Sequence, residues 1–92
     1  MADKPTLHVK VLSPQQLLLE AEATSVSSKN LEGKFDILPQ HANFITVIEK
    51  SPIVVKIPNQ KDSVFNFPLA IIAVTENRVN IYTYIQPETE EK

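Results

Sequence analysis

Glu32-Gly33-Lys34-Phe35-Asp36-Ile37-Leu38-Pro39-Gln40-His41-Ala42-Asn43-Phe44-Ile45-Thr46 sets two strand-like runs on either side of a proline. Phe35 and Ile37 alternate with Lys34 and Asp36, the period of two that sends successive side chains to opposite faces of a strand. Pro39 ends that strand. Its ring fixes φ, its nitrogen has no hydrogen to give to a ladder, and it pushes Leu38 into extended geometry. Gly33 permits the backbone geometry that opens the strand. His41, in the turn, can hold a neighbouring carbonyl or acidic group through a ring nitrogen. The segment reads as two strands joined by a protruding, shaped loop.

The same period extends outward in both directions. Leu7, Val9 and Val11 alternate with His8 and Lys10, and Val79 and Ile81 alternate with Asn80. Turn chemistry at Ser13-Pro14, Lys29 to Gly33, Pro39-Gln40, Ser51-Pro52, Pro58 to Asp62 and Thr75 to Arg78 recurs at the spacing of a sandwich or barrel. Between the turns, strands are predicted near 6–12, 17–22, 24–28, 34–38, 43–48, 53–57, 63–67, 69–74 and 79–84. Gln15 to Ala23 consists of good helix formers and competes for a short helix. Only about two turns fit before Thr24-Ser25-Val26-Ser27-Ser28, and isolated helices that short are marginal, so the segment is predicted as strand. Gly33 is the sole glycine, which leaves Asn30, Asn59 and Asn77 to supply positive φ at turns. The predicted organisation is one all-β domain over 1–86, followed by a polar, acidic, disordered tail over 87–92.

Composition bounds the function. Ninety-two residues support one core, and 42% apolar residues with a formal charge of −2 describe a globular chain. Without cysteine there is no disulfide framework, thiolate metal site or sulfur nucleophile. The N-terminus lacks the apolar block of a secretory signal, and Leu69 to Val74 is far short of the ~20 residues of a spanning helix. His8 lies on the polar phase of its strand, and His41 has no Ser or Cys motif beside it. Glu20 and Glu22 share one strand face, as charges on a solvated sheet do, without the enclosing cleft that a catalytic pair needs. The nine basic residues are scattered and outnumbered by eleven acids, which excludes a nucleic-acid groove. No metal-ligand cluster, phosphate loop, catalytic residue or cofactor site is predicted. A protein-binding β module remains.

The opening stretch resembles the most recognisable segment of the ATP synthase epsilon subunit family, the delta subunit in mitochondria. The resemblance rests on Glu32, Gly33, Phe35, Ile37, Leu38, Pro39, His41, Ala42, Phe44, Ile45 and Thr46. Leu7 to Pro14 is similar to the family's first strand, Leu17 to Val26 to its short strand pair, and Val74 to Tyr82 to its final hairpin. There are departures. Pro68-Leu69-Ala70 stands where a Ser-Gly-Gly triplet is usual, Lys34 replaces a frequent acid, and Gln40 replaces a common glycine.

The resemblance implies a flattened β-sandwich of two mostly antiparallel five-stranded sheets; in a further departure from the family pattern, which typically continues into two helices, no C-terminal helical hairpin is expected in the residues up to Lys92. It implies a non-catalytic rotor subunit in the central stalk of a proton- or sodium-translocating ATP synthase. Such a subunit joins the gamma subunit to the membrane proteolipid ring, peripheral to the cytoplasmic face of the inner membrane and without inserting into it. The chain on its own would be a monomer. By the same resemblance Ser13, Glu32, Gly33, Lys34, Asp36, Gln40, His41 and Thr46 are the expected contacts with the ring or with gamma. The alternative that the residues leave open is a protein- or ligand-binding β-sandwich of another family.

Overall fold

Alternation and turn chemistry place nine strands in the computed structural model, which describes residues 5–83. They are β1 (Leu7–Leu12), β2 (Leu17–Ala23), β3 (Ser25–Asn30), β4 (Gly33–Ile37), β5 (Phe44–Glu49), β6 (Pro52–Lys56), β7 (Ser63–Asn66), β8 (Leu69–Thr75) and β9 (Arg78–Thr83). Each predicted strand forms, with its ends displaced by two residues at most. The run of helix formers is β2. Leu19, Ala21 and Ala23 stand opposite Val11, Val9 and Leu7, so strand pairing over the core overrides the intrinsic preference of the segment.

The strands form a five-stranded sheet, β2-β1-β9-β8-β5, and a four-stranded sheet, β4-β3-β6-β7, not the expected two sheets of five. The longest connection inside the four-stranded sheet, between Lys56 and Ser63 of β6 and β7, is a turn and not a strand. There Pro58 has no donor for a ladder, Asn59 has φ 63°, and the Gln60 amide donates to the Ile57 carbonyl at 3.2 Å, so the chain turns. Every strand pairing is antiparallel except one: β1 and β9 lie parallel, with Val9 opposite Val79 and Val11 opposite Ile81. The inner faces meet in a core that includes Leu7, Val9, Val11, Val26, Ile37, Ile48, Ile53, Val55, Ile72, Val79 and Ile81. Ser28 and Thr83, buried among them, donate to the carbonyls of Pro52 (2.9 Å) and Leu69 (3.1 Å), which removes the cost of an unpaired hydroxyl.

Turn geometry sets both ends of the sandwich. The His41 amide reaches the Leu38 carbonyl at 3.1 Å, with Pro39 second and Gln40 third at φ 69°, a type II turn. Glu76 and Asn77, at φ 48° and 64°, make the two-residue hairpin between β8 and β9 a type I′ turn, whose twist matches that of the strands. Asn59 and Asn77 take positive φ as expected, but Asn30 does not. Its side chain does the work instead: Oδ1 accepts the Glu32 amide at 2.8 Å and Nδ2 donates to Thr46 Oγ1 at 3.0 Å. Gly33, at φ +124°, then returns the chain to the ladder. The tail predicted over 87–92 lies outside the described residues.

Candidate functional site

The outer face of the five-stranded sheet carries an apolar row that crosses every strand. Leu17 stands opposite Leu12, Leu12 opposite Tyr82, Tyr82 opposite Ile71, and Ile71 opposite Val47. Leu17, Val47 and Tyr82 are about half exposed, and Ile45, two residues before Val47 on the same face, is 71% exposed. A groove of about 370 Å³ opens along the row, walled by Leu12, Pro14, Val47, Leu69, Ile71 and Tyr82 with Ser13 at its lip. Scattered apolar residues on a surface need no explanation, but a contiguous row marks a contact surface.

A second, smaller cleft of about 270 Å³ lies beside it, between the β3–β4 turn (Lys29, Asn30, Leu31) and Val47, Glu49 and Ser51. Val47 borders both. Leu31, at the tip of that turn, is 96% exposed. On the outer face of the four-stranded sheet Lys34 stands directly opposite Lys29, an unfavourable pairing of like charges. Next to them Ser27 Oγ donates to Asp36 Oδ1 at 2.5 Å.

The eight residues expected as contacts do not form one surface. Ser13, Glu32, Gly33 and Lys34 gather at the end where β1 and β3 finish. Gln40 and His41 lie at the other end, separated by the length of β4, about 16 Å for five residues. Asp36 is near the second end. Thr46 is half-buried and accepts from Asn30, so it positions the β3–β4 turn from beneath. At the second end polar atoms satisfy one another. His41 Nδ1 is 2.7 Å from the Ala42 carbonyl, and its ring meets Phe44 edge-on at 5.4 Å. The Gln40 amide donates to Asn77 Oδ1 at 2.6 Å, while the Asn77 carbonyl accepts the His8 amide at 2.8 Å. One asparagine thus ties the β4–β5 loop, the β8–β9 hairpin and the start of β1 together.

His8 also joins a polar cluster on the outer face of β1 and β2. Its Nε2 lies 2.7 Å from Glu20 Oε2 and its Nδ1 lies 2.7 Å from Glu22 Oε2, while Thr6 Oγ1 donates to Glu22 Oε1 at 2.6 Å. Hydrogen bonding to Glu22 and then to Glu20 raises the His8 pKa above 6.5. The Thr6 hydroxyl, followed by the His8 ring, lowers that of Glu22 below 4.5. The two carboxylates each use a different ring nitrogen and do not converge on a point between them. Among the described residues no group of His, Cys, Asp or Glu is arranged to hold a metal ion, and no helix is long and apolar enough to cross a membrane.

Residues 6–84 match the family described as "ATP synthase, Delta/Epsilon chain, beta-sandwich domain". The chain belongs to that family. Among relatives of this delta/epsilon-type sandwich, the ATP synthase epsilon chain of Nitratiruptor sp. is 26% identical over 73 residues, covering 79% of this chain and 57% of the relative. The epsilon chain of Rickettsia africae is 29% identical over 80 residues, covering 85% and 71%. Two solved assemblies contain chains of the same fold. One is the Euglena gracilis mitochondrial ATP synthase OSCP/F1/c-ring, with TM-score 0.79, 13% identity, and coverage of 90% of this chain and 53% of that one. The other is the central stalk and c-ring of the Tetrahymena thermophila mitochondrial ATP synthase, with TM-score 0.73, 15% identity and coverage of 91% and 67%. The delta/epsilon-type chain thus spans little more than half the length of some of its relatives.

Membership in the family gives the departures a structural meaning. Gln40 occupies the left-handed position of its turn, which is where a glycine is easiest to place. None of Pro68, Leu69 and Ala70 has positive φ, so the side chains found there cost the backbone nothing. Pro68 uses its carbonyl to accept the Lys50 amide at 3.2 Å, Leu69 walls the groove, and Ala70 enters the core.

Proposed function

We propose that this chain is a non-catalytic rotor subunit of a rotary ATP synthase, bound in the central stalk between the gamma subunit and the membrane proteolipid ring. Torque driven by proton or sodium flow passes through it to the catalytic head, and the chain itself sits peripherally on the cytoplasmic face of the membrane. The observation that carries this reading is the apolar row Leu12, Val47, Ile71 and Tyr82 on a sheet whose other face already covers the core. A sheet apolar on both faces suits a subunit held permanently against a partner, since obligate interfaces are the more apolar ones. Gamma is the partner assigned to this row, with Ser13 at its rim and the Gln40–His41 turn available at the far end. The polar loops of the ring are assigned to Glu32, Gly33 and Lys34. There the opposed Lys29 and Lys34 gain by meeting an acidic partner, because charge complementarity guides register and encounter.

The test is a double substitution, Val47→Asp with Ile71→Asp, assayed by co-purification with gamma. Both side chains face outward, so the variant is expected to keep its circular dichroism spectrum and cooperative unfolding while losing the complex. Undiminished assembly of the folded variant with gamma overturns the assignment.

A further inference from the structure

We propose that His8, Glu20 and Glu22 form a proton-operated clasp that fastens the edge strand β2 to β1 and loosens it when the imidazole loses its charge. This inference is independent of the function proposed above. Its basis is hydrogen-bond accounting. Both nitrogens of His8 face carboxylate oxygens at 2.7 Å. A neutral imidazole has one N–H, so its second nitrogen would turn a lone pair towards a carboxylate; the imidazolium has two N–H groups and satisfies both. The arrangement therefore selects the charged ring. Strand β2 lies at the border of its sheet with β1 as its ladder partner, so the clasp bridges the pairing that holds it.

The surroundings set the balance of charge. From β2 come the two carboxylates, Glu22 directly opposite His8 and Glu20 opposite Lys10. From β9 comes one cation, Arg78, the register partner of His8 on its other side. Lys10 follows two residues along β1 on the same face, and the uncharged Thr6 hydroxyl braces Glu22. Two anions in direct contact outweigh cations that make no hydrogen bond to the ring, consistent with the raised pKa of His8.

The sign follows by linkage. A group whose pKa is raised on folding stabilises the fold fully below its unfolded value, here 6.5, and loses that contribution as pH climbs through the higher folded value. Glu22 acts in reverse: its contribution is present above 4.5 and is lost as pH falls through its lowered folded value. The contributions of His8 and Glu22 are both present between 4.5 and 6.5, and that of His8 is lost at alkaline pH with the ring proton.

Proton NMR titration of the 92-residue chain tests this, because His8 and His41 are its two histidines. His8 is expected to titrate above 6.5, and the Glu20→Gln, Glu22→Gln variant to bring its midpoint down towards 6.5. Amide hydrogen exchange supplies the second readout. Protection of β2 relative to β9 is expected to drop between about pH 5.5 and pH 9 in the wild type, after correction for intrinsic exchange, and to be insensitive to pH in His8→Gln. A His8 midpoint at or below 6.5 overturns the proposal, and so does wild-type β2 protection that holds constant relative to β9. Both decisive measurements use the wild-type chain, so they stand even where a variant does not fold.

Discussion

Replacing Gly33 with alanine isolates the one backbone conformation on which the β3–β4 hairpin depends. Gly33 holds φ +124°, where an L residue brings its Cβ against the backbone, and such conformations cost about 1–3 kcal/mol. No packing clash adds to this, since a Cβ built on Gly33 meets no heavy atom within 4 Å. Alanine also restricts the unfolded chain, which offsets about 0.4–1 kcal/mol of the loss. The expected net destabilisation is about 1–2 kcal/mol, and each kcal/mol lowers the melting midpoint of a domain this size by about 4–8 °C. Urea unfolding followed by far-UV circular dichroism is the suitable assay, because the chain has no tryptophan. The midpoint should fall with the slope unchanged, as it does when stability changes and compactness does not. Leu31→Ala is the matched control: Leu31 is in the same turn and 96% exposed, so its removal should stay within about 0.5 kcal/mol of wild type. A Gly33→Ala protein as stable as the Leu31→Ala control would refute the reasoning, for it would mean that the turn relaxes to an ordinary φ without loss.

Two further expectations concern the ends of the sandwich. Asn77→Gly should keep the β8–β9 turn, which needs positive φ, while losing the 2.6 Å bond from the Gln40 amide, at a cost of about 0.5–1.5 kcal/mol in urea unfolding; a change under about 0.3 kcal/mol would mean that water replaces the bond freely. Lys34→Glu should weaken assembly with the proteolipid ring more at low salt than at high salt, since exposed charges are screened over about 10 Å at 0.1 M salt; an equal loss at both would point to misfolding or to a different interface.

The fold was legible where the physics is local. Period-two alternation in Leu7 to Val11 and Phe35 to Ile37, and proline at Pro39, are properties of neighbouring residues, and the strands and the type II turn follow from them. The tenth strand was inferred from the family resemblance, not from alternation, and the described residues form nine. Asn30 illustrates a different limit. Asparagine has two ways to make a turn, through left-handed backbone or through its side chain, and the choice was settled by Gly33 three residues on and by Thr46 across the sheets.

The candidate surface was less legible, because register, which sequence does not print, assembles it. Glu20 and Glu22 read as a solvated pair and His8 as a lone surface residue until the β1–β2 pairing sets Glu22 opposite His8. The apolar row likewise draws Leu12, Val47, Ile71 and Tyr82 from four strands, and no two of the four are close in the chain. One signal of the row was nevertheless present. In Phe44-Ile45-Thr46-Val47-Ile48 and Leu69-Ala70-Ile71-Ile72-Ala73-Val74, apolar residues occupy both phases, unlike the clean alternation of β1. Ile48, buried like Ile72, accounts for one phase by entering the core, but Ile45, Val47 and Ile71 point away from it and stay exposed. A strand that is apolar on both faces suits a sheet covered on both, and the described residues supply cover for one. The exposed apolar phase of β5 and β8 is therefore the sequence trace of the surface proposed above for gamma, and it can be read before any residue in the partner is known.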